Sequence, residues 1–479
     1  MKISRRLVVG LAVVALVASA PAALAGNPFA KSTTTAGGYQ TWDSDLIDVE
    51  QVSQTGAGVY VAVLDTGLVP NWTDYFPKER LRTDLGTGFE QQVNFKAATD
   101  GKDPCGVEVE KGQLRQSTWV GSRGSTHGTH VASTIIGYSY YSNFDALGGY
   151  LLPPIQVRGI APNATIIPVK VLSDYQVPAL PKCPDPALQK QGLVVFGTDE
   201  MVAAGIRYVT SLKQGVLAGS PVVINMSLGG PELAPVEKDA IDAAITAGVI
   251  IVASAGNEGA DGMGYPGAYA PVISVGSAGW DREWLDDPQS KGGPANGTRY
   301  RMWWLQNTLG NGGVGGLEPP LKVRSGQVLD PTPVSQVYVS DFSSRELSGQ
   351  DLDVLAPGSW VRGPFPGDGN YAHLPWWSGG IGDVKGGNPG NFYYAGGTSM
   401  ASPHVASLAA LALQKNPNLT QSQMETLLED TALPIPANLG GLQVWDISPA
   451  PGWVTLAWGA DATGHGLVNA KGLVDAVSP

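Results

Sequence analysis

The sequence predicts an α/β fold: a doubly wound, mostly parallel sheet flanked by helices and interrupted by several long loop insertions. Three observations predict it. Apolar runs of strand length recur along the chain, stretches of helical period lie between them, and Gly- and Pro-rich segments punctuate both. A run that is apolar at almost every position suits a strand buried on both faces, as the strands of a parallel sheet are.

The first run is Val59–Leu64, which ends at Asp65 and a Gly67 turn. Similar runs follow at Thr165–Leu172, Val222–Met226, Val249–Ser254 and Val272–Val275. Helical patterns fall between and after them. Thr198–Leu212 has apolar residues at helical spacing, and Pro235–Ala247 has Pro at its start and Gly248 just past its end. Ser399–Leu413 is rich in Ala and Leu, and Thr420–Thr431 opens on a good N-cap. Segments near 85–124, 138–157, 174–197, 282–340, 360–391 and 434–460 do not fit the alternation. None has a periodic core of its own, so they read as insertions into one domain spanning 42–475.

Composition narrows the function. The 479 residues are 43% hydrophobic with a net charge of −12, and no cluster of Lys or Arg could grip phosphates. Nucleic acid is therefore excluded as a partner. Residues 1–25 read as a signal peptide: Lys2, Arg5 and Arg6 precede an apolar run from Leu7 to Ala20, and Ala23-Leu24-Ala25 is a small-x-small cleavage site. Export to a periplasm or the extracellular space follows, and Ser4-Arg5-Arg6 leaves both the general and the twin-arginine route open. Residues 26–41 are a short polar linker, and no later run is long enough to span a bilayer. Two cysteines, Cys105 and Cys183, in an exported chain point to one disulfide, with two free thiols as the alternative. Nothing resembles a coiled coil or a partner helix, so a monomer is expected.

Three segments carry chemistry. Asp65-Thr66-Gly67 closes a strand, His127-Gly128-Thr129-His130 opens an apolar stretch, and Gly397-Thr398-Ser399-Met400-Ala401-Ser402-Pro403 opens a helix. Each alone is an ordinary turn or helix start. Together they supply a nucleophile, a base and an acid. A serine hydroxyl needs a base to take its proton, and the base needs an acid to fix its tautomer. A helix N-terminus at Ser399 also favours a developing negative charge.

These segments resemble the signature blocks of the subtilisin-like serine proteases. Other blocks resemble that family too: Ile224-Asn225-Met226-Ser227-Leu228-Gly229-Gly230, Ala253-Ser254-Ala255-Gly256-Asn257-Glu258-Gly259, Gly264-Tyr265-Pro266, Gly159-Ile160-Ala161-Pro162 and Gly464-His465-Gly466-Leu467-Val468-Asn469. The resemblance implies a serine endopeptidase acting through an acyl-enzyme on protein or peptide substrates. Asp65, His127 and Ser399 would be its triad. Asn257 and the Ser399 N–H would form its oxyanion hole, and Ser227, Leu228, Gly229 and Gly264 would bind substrate. Glu258 would stand either at the rim of the pocket for the residue before the cleaved bond or in solvent. The resemblance implies no cofactor for the chemistry. Structural calcium is possible but unassigned, because the loop after the His127 helix that binds calcium in many relatives is replaced, and no Asp-x-Asp-x-Asp-Gly array appears.

His130 lies on nearly the same helix face as His127, but no third and fourth zinc ligands accompany the pair. His130, His404 and His465 are expected to be structural, and His373 a loop residue. Ser133 and Ser407 stand where the family has Gly. Residues 26–59 are too few for the long propeptide of many relatives, so folding without one, or with a separate factor, is expected. Trp303-Trp304 and Trp376-Trp377 would line substrate subsites or anchor their loops. A catalytically inactive binding protein of the same fold should lack part of this constellation. An α/β-hydrolase needs Gly-x-Ser-x-Gly, where this chain has Ala401. The acid-acting sedolisins lack the counterparts of His127 and Asn257.

Overall fold

Burial on both faces is what the apolar runs encode, and the computed structural model places them accordingly. It describes residues 2–3, 38, 40–97, 105–122, 125–140, 155–184, 189–190, 192–281, 283–286, 299–301, 332–364, 392–446 and 452–479. Most of the leader, both Trp pairs and His373 lie outside the described residues. The strands of the main sheet are β1 (Tyr60–Asp65), β2 (Thr87–Ala97), β3 (Val107–Ser117), β4 (Thr165–Lys170), β5 (Val222–Met226), β6 (Val249–Ser254), β7 (Ile273–Trp280), β8 (Val337–Val339) and β9 (Val354–Pro357). Their order is β3-β2-β4-β1-β5-β6-β7-β8, with β9 also beside β7 and Lys2–Ile3 along the outer edge of β3. Every pairing from β2 through β4, β1, β5 and β6 to β7 is parallel, as is β7 with β9. The β2–β3 and β7–β8 pairs are antiparallel.

Side chains of β1 alternate between two cores. Val61 and Val63 join one, Ala62 and Leu64 the other, and all four are buried. That is why the strand reads as a continuous apolar run rather than an alternation. One face is covered by α2 (Asp199–Gln214) and α3 (Pro235–Thr246), and the other by α1 (Thr126–Ile136), α4 (Thr398–Lys415), α5 (Gln421–Thr431) and α6 (Ala470–Ala476). Thr198 caps α2 by accepting from the Met201 N–H, and Thr420 and Gln423 form a reciprocal capping box on α5. The helix α3 ends where Gly248 takes a φ of +80°, a conformation an L side chain resists. Met400–Leu413 of α4 are buried all round, so α4 is the axial helix of its core. Among the described residues no helix is long and apolar enough to cross a membrane.

Chain order explains where a site belongs. From β1 the chain moves to β4 on one side, then crosses back to β5 on the other. The sheet therefore has a switch point between β1 and β5, and crevices outside the carboxyl ends of the strands at such points hold ligands in doubly wound folds. Asp65 is the last residue of β1, and Ser227 immediately follows β5.

Several insertions are built structure. Of these, strands β2 and β3 extend the sheet, and a second hairpin pairs Ser173–Val177 with Gly192–Phe196. The two share a satellite core of Phe95, Val107, Val109, Leu180 and the Cys105–Cys183 disulfide, with Phe95, Tyr175 and Phe196 packed edge to face. The disulfide spans 78 residues of sequence. Chain-entropy reasoning gives such a cross-link about 4.5 kcal/mol, and measured values centre on about 2–4 kcal/mol. Replacing both cysteines with Ser should lower unfolding stability by about 2–4 kcal/mol in a denaturant titration. An unchanged midpoint would show that the satellite core holds without its cross-link.

Candidate active site

The strand end supplies a buried carboxylate. Asp65 is fully buried, and its Oδ1 accepts the Thr66 N–H at 2.6 Å. Both carboxylate oxygens lie 2.9 Å from Nδ1 of His127, on the first turn of α1. A carboxylate can only accept, so Nδ1 carries the proton and Nε2 is left as the acceptor. Burial pushes the His127 pKa down, but the charge of Asp65 and its hydrogen bond outweigh that and raise it above the ordinary imidazole value. Thr66 seats the ring: its Oγ1 accepts the Gly128 N–H at 2.9 Å, and its carbonyl accepts the Ser125 hydroxyl at 2.8 Å.

Ser399 is the second residue of α4 and is half-buried. Pro403, four residues on, has no N–H, so the Ser399 carbonyl lacks its usual helical donor. The Ser227 hydroxyl fills that vacancy at 2.7 Å. Ser227 is fixed in turn by the Asn225 amide at 3.0 Å, and Asn225 Oδ1 accepts the Ser402 hydroxyl at 2.8 Å. This buried ladder bolts the start of α4 to the end of β5. The Ser399 hydroxyl donates to the Ser227 carbonyl at 3.3 Å, and no hydrogen bond joins it to His127. Asp65 and His127 are thus in contact, while Ser399 is held by the β5 end.

Asn257 meets the same helix start. Its Oδ1 accepts the Thr398 N–H at 2.9 Å and the Thr398 hydroxyl at 3.1 Å. Those contacts occupy the oxygen and leave the amide N–H groups as donors beside the Ser399 backbone. Gly397 lies between them: a Cβ there would stand 3.8 Å from Asn257 Nδ2 and 3.7 Å from the Ser399 nitrogen.

Ser227, Leu228, Gly229 and Gly264 line two facing segments. Gly230 and Tyr265 exchange both backbone hydrogen bonds, at 2.7 and 2.8 Å. Leu228 O accepts the Ser254 hydroxyl at 3.3 Å, whereas Gly229 makes no backbone hydrogen bond among the described residues. A Cβ on Gly229 would reach the Tyr265 carbonyl oxygen at 3.5 Å and one on Gly264 the Gly230 carbonyl oxygen at 3.4 Å, so both glycines keep a slot open between the walls. Glu258 is tied back, its Oε2 accepting the Ser344 hydroxyl at 3.0 Å.

The remaining histidines serve other purposes. His130 is buried and its Nε2 donates to the Val361 carbonyl at 2.9 Å. His404 Nδ1 donates to the Met400 carbonyl at 2.8 Å, and its Nε2 faces Asp43 at 3.1 Å. His465 is exposed, 3.5 Å from Glu429. One acidic group was not foreseen. Asp351 and Asp353, just before β9, meet Glu425 of α5 with ligand oxygens all within 4.8 Å of one another. Residues 72 or more apart in sequence give no local signal of such a meeting.

The family model and the subtilisin relatives below place the chain among the serine endopeptidases. The chain is a member of the subtilase family, whose model matches residues 56–446. Subtilisin DY of Bacillus licheniformis is 27% identical over 396 residues, covering 82% of this chain and 88% of that protein. Subtilisin E of Bacillus subtilis (strain 168) is 28% identical over 313 residues, covering 64% of this chain and 51% of that protein. Fervidolysin of Fervidobacterium pennivorans is 28% identical over 442 residues, 91% of this chain and 45% of its own length. The chain thus spans about half the length of the last two relatives. The solved structure of sphericase has a TM-score of 0.47 at 23% identity, covering 91% of this chain and 99% of that one.

Proposed function

We propose that the chain is an exported serine endopeptidase whose domain, residues 42–475, cleaves protein or peptide substrates through an acyl-enzyme on Ser399. The observation that carries this reading is the Asp65–His127 pair, which leaves Nε2 as the proton acceptor at the sheet's switch point. On substrate binding the Ser399 hydroxyl turns from the Ser227 carbonyl to His127 Nε2. Its oxygen attacks the scissile carbonyl as its proton passes to Nε2. The Asn257 amide and the Ser399 N–H take the oxyanion. His127 then gives that proton to the leaving amine, and a water, deprotonated by the same nitrogen, hydrolyses the ester. An extended substrate lies along Ser227–Gly229, where Gly229 offers free backbone groups and the Gly229–Gly264 slot takes the side chain before the cleaved bond. The leader supports export, and a monomer suffices for this chemistry. A mixed peptide library incubated at pH 8 should yield internal cleavages with new free amino termini. Cleavage only at chain ends, or of esters alone, would contradict the endopeptidase reading.

Subtilases need no cofactor for their chemistry and often bind structural calcium. The Asp351–Asp353–Glu425 group fits such an ion. Asp353 is 1% exposed, Ser274 donates twice to its Oδ2, and its Oδ1 has no hydrogen-bond partner. Those three carboxylates would hold the ion and relieve their own repulsion. Without it, burial chiefly raises Asp353 and Glu425 above the ordinary carboxylate range, with repulsion from Glu425 and Asp351 adding to it at Asp353 and from Glu429 and Asp351 at Glu425. The folded cluster then binds more protons than the unfolded chain, so stability falls as pH rises from that range through the raised values. Calcium in hundredfold excess over its Kd should add about 2.7 kcal/mol, read as a raised Tm at pH 8. Glu425→Gln should abolish that increment, and an equal increment in both proteins would place the ion elsewhere.

A further inference from the structure

The described residues include a buried carboxylate, Glu283, which the chemistry above does not use. It is 1% exposed and lies just beyond the end of β7. Its Oε1 accepts the Tyr338 hydroxyl and, at 3.1 Å, the Ser359 hydroxyl. Its Oε2 faces the Trp280 N–H at 3.4 Å. Tyr338 and Ser359 are themselves buried and touch each other, 2.5 Å apart. The carboxylate is therefore surrounded by donors contributed by β7, β8 and the turn after β9.

That turn leads to the nucleophile. Gly358, beside Ser359, donates to the Ala278 carbonyl at 2.9 Å and accepts the Gly397 N–H at 2.8 Å. Gly397 precedes α4 and stands two residues before Ser399. The approach is tight: a Cβ on Gly358 would lie 2.4 Å from Ser277 Oγ and 2.8 Å from the Gly397 carbonyl. The backbone leading into Ser399 thus hangs from a turn whose neighbouring side chain is pinned by Glu283.

We infer that Glu283 is a positioning residue for Ser399, acting through Ser359 and the Gly358–Gly397 hydrogen bond. This rests on the reading of Ser399 as nucleophile. An acceptor-only group is required, because both of its oxygens face donors. The amide of Glu283→Gln would aim an N–H₂ at one of them and shift the turn. Buried polar groups left half-satisfied are costly, and displacements well under an ångström at a nucleophile are felt in the rate.

The test compares wild type, Glu283→Gln, Glu283→Asp and Tyr338→Phe, each at a concentration fixed by active-site titration. For Glu283→Gln, kcat and the rate constant of fluorophosphonate labelling should both fall about tenfold with KM nearly unchanged. Glu283→Asp should recover part of the loss. Tyr338→Phe, which keeps the ring and removes one donor, should lose about threefold by the same route. Should Glu283→Gln fail to fold, Tyr338→Phe and Glu283→Asp decide the matter. A lowered Tm with unchanged kcat and labelling rate per titrated site would overturn the inference and leave Glu283 a purely structural residue. Wild-type protein that takes up no label would instead remove the nucleophile reading itself.

Discussion

His127→Ala is expected to lower kcat by about 10⁶ with a much smaller change in KM, a loss of roughly 8 kcal/mol in transition-state stabilisation. The magnitude is carried over from the corresponding change in subtilisin, a relative; the direction follows from this site. With the ring gone, neither buried histidine among the described residues can replace it. His130 and His404 are fully buried and engage other partners, the Val361 and Met400 carbonyls and Asp43. Asp65 is fully buried, and the Ser399 hydroxyl donates to the Ser227 carbonyl rather than to it. Steady-state kinetics on a peptide substrate checks this, and a loss of less than about 10² would mean that another group removes the serine proton.

Asp65→Asn is expected to cost about 10⁴ in kcat with little change in geometry. The two carboxylate oxygens are equidistant from Nδ1, and Oδ1 is already held by the Thr66 N–H. An asparagine oxygen would take that N–H, which turns its N–H₂ toward His127. Nδ1 must then accept, the ring proton moves to Nε2, and the base is lost for Ser399. The variant also shifts the pH profile. Burial lowers the His127 pKa, and only the Asp65 charge and hydrogen bond lift it above the ordinary value. Without that charge the pKa falls, so the acid limb of kcat/KM should move to lower pH beneath a much reduced plateau. An acid limb that stays in place would show that Asp65 does not set the pKa of the base.

How much of this was legible depends on how local each signal is. The strands β1, β4, β5 and β6 are read directly, because burial on two faces leaves no room for polar positions in Val61–Leu64 or Val249–Ala253. Helix ends were equally local, as Thr198, Pro235 and Thr420 show. Strands β2 and β3 look like loop in the sequence. Phe89, Val93 and Phe95 do alternate on one face, but Glu90, Gln92, Asn94 and Lys96 between them make the segment look polar. The candidate site residues stand in short blocks because each needs a strand end or a helix start. What joins the blocks was not legible. The Ser399–Ser227 pair spans 172 residues, Asn257–Thr398 spans 141, and Glu283–Ser359 spans 76. Only the folded sheet brings such residues together.

The central claim is that Ser399 is the nucleophile that His127 activates. Its most direct test is fluorophosphonate labelling of the mature protein, read by intact mass and peptide mapping beside Ser399→Ala and His127→Ala. The account predicts one adduct per chain, on Ser399, forming far more slowly in His127→Ala and absent in Ser399→Ala. Equal labelling of wild type and Ser399→Ala, or an adduct mapped to another residue, would contradict it.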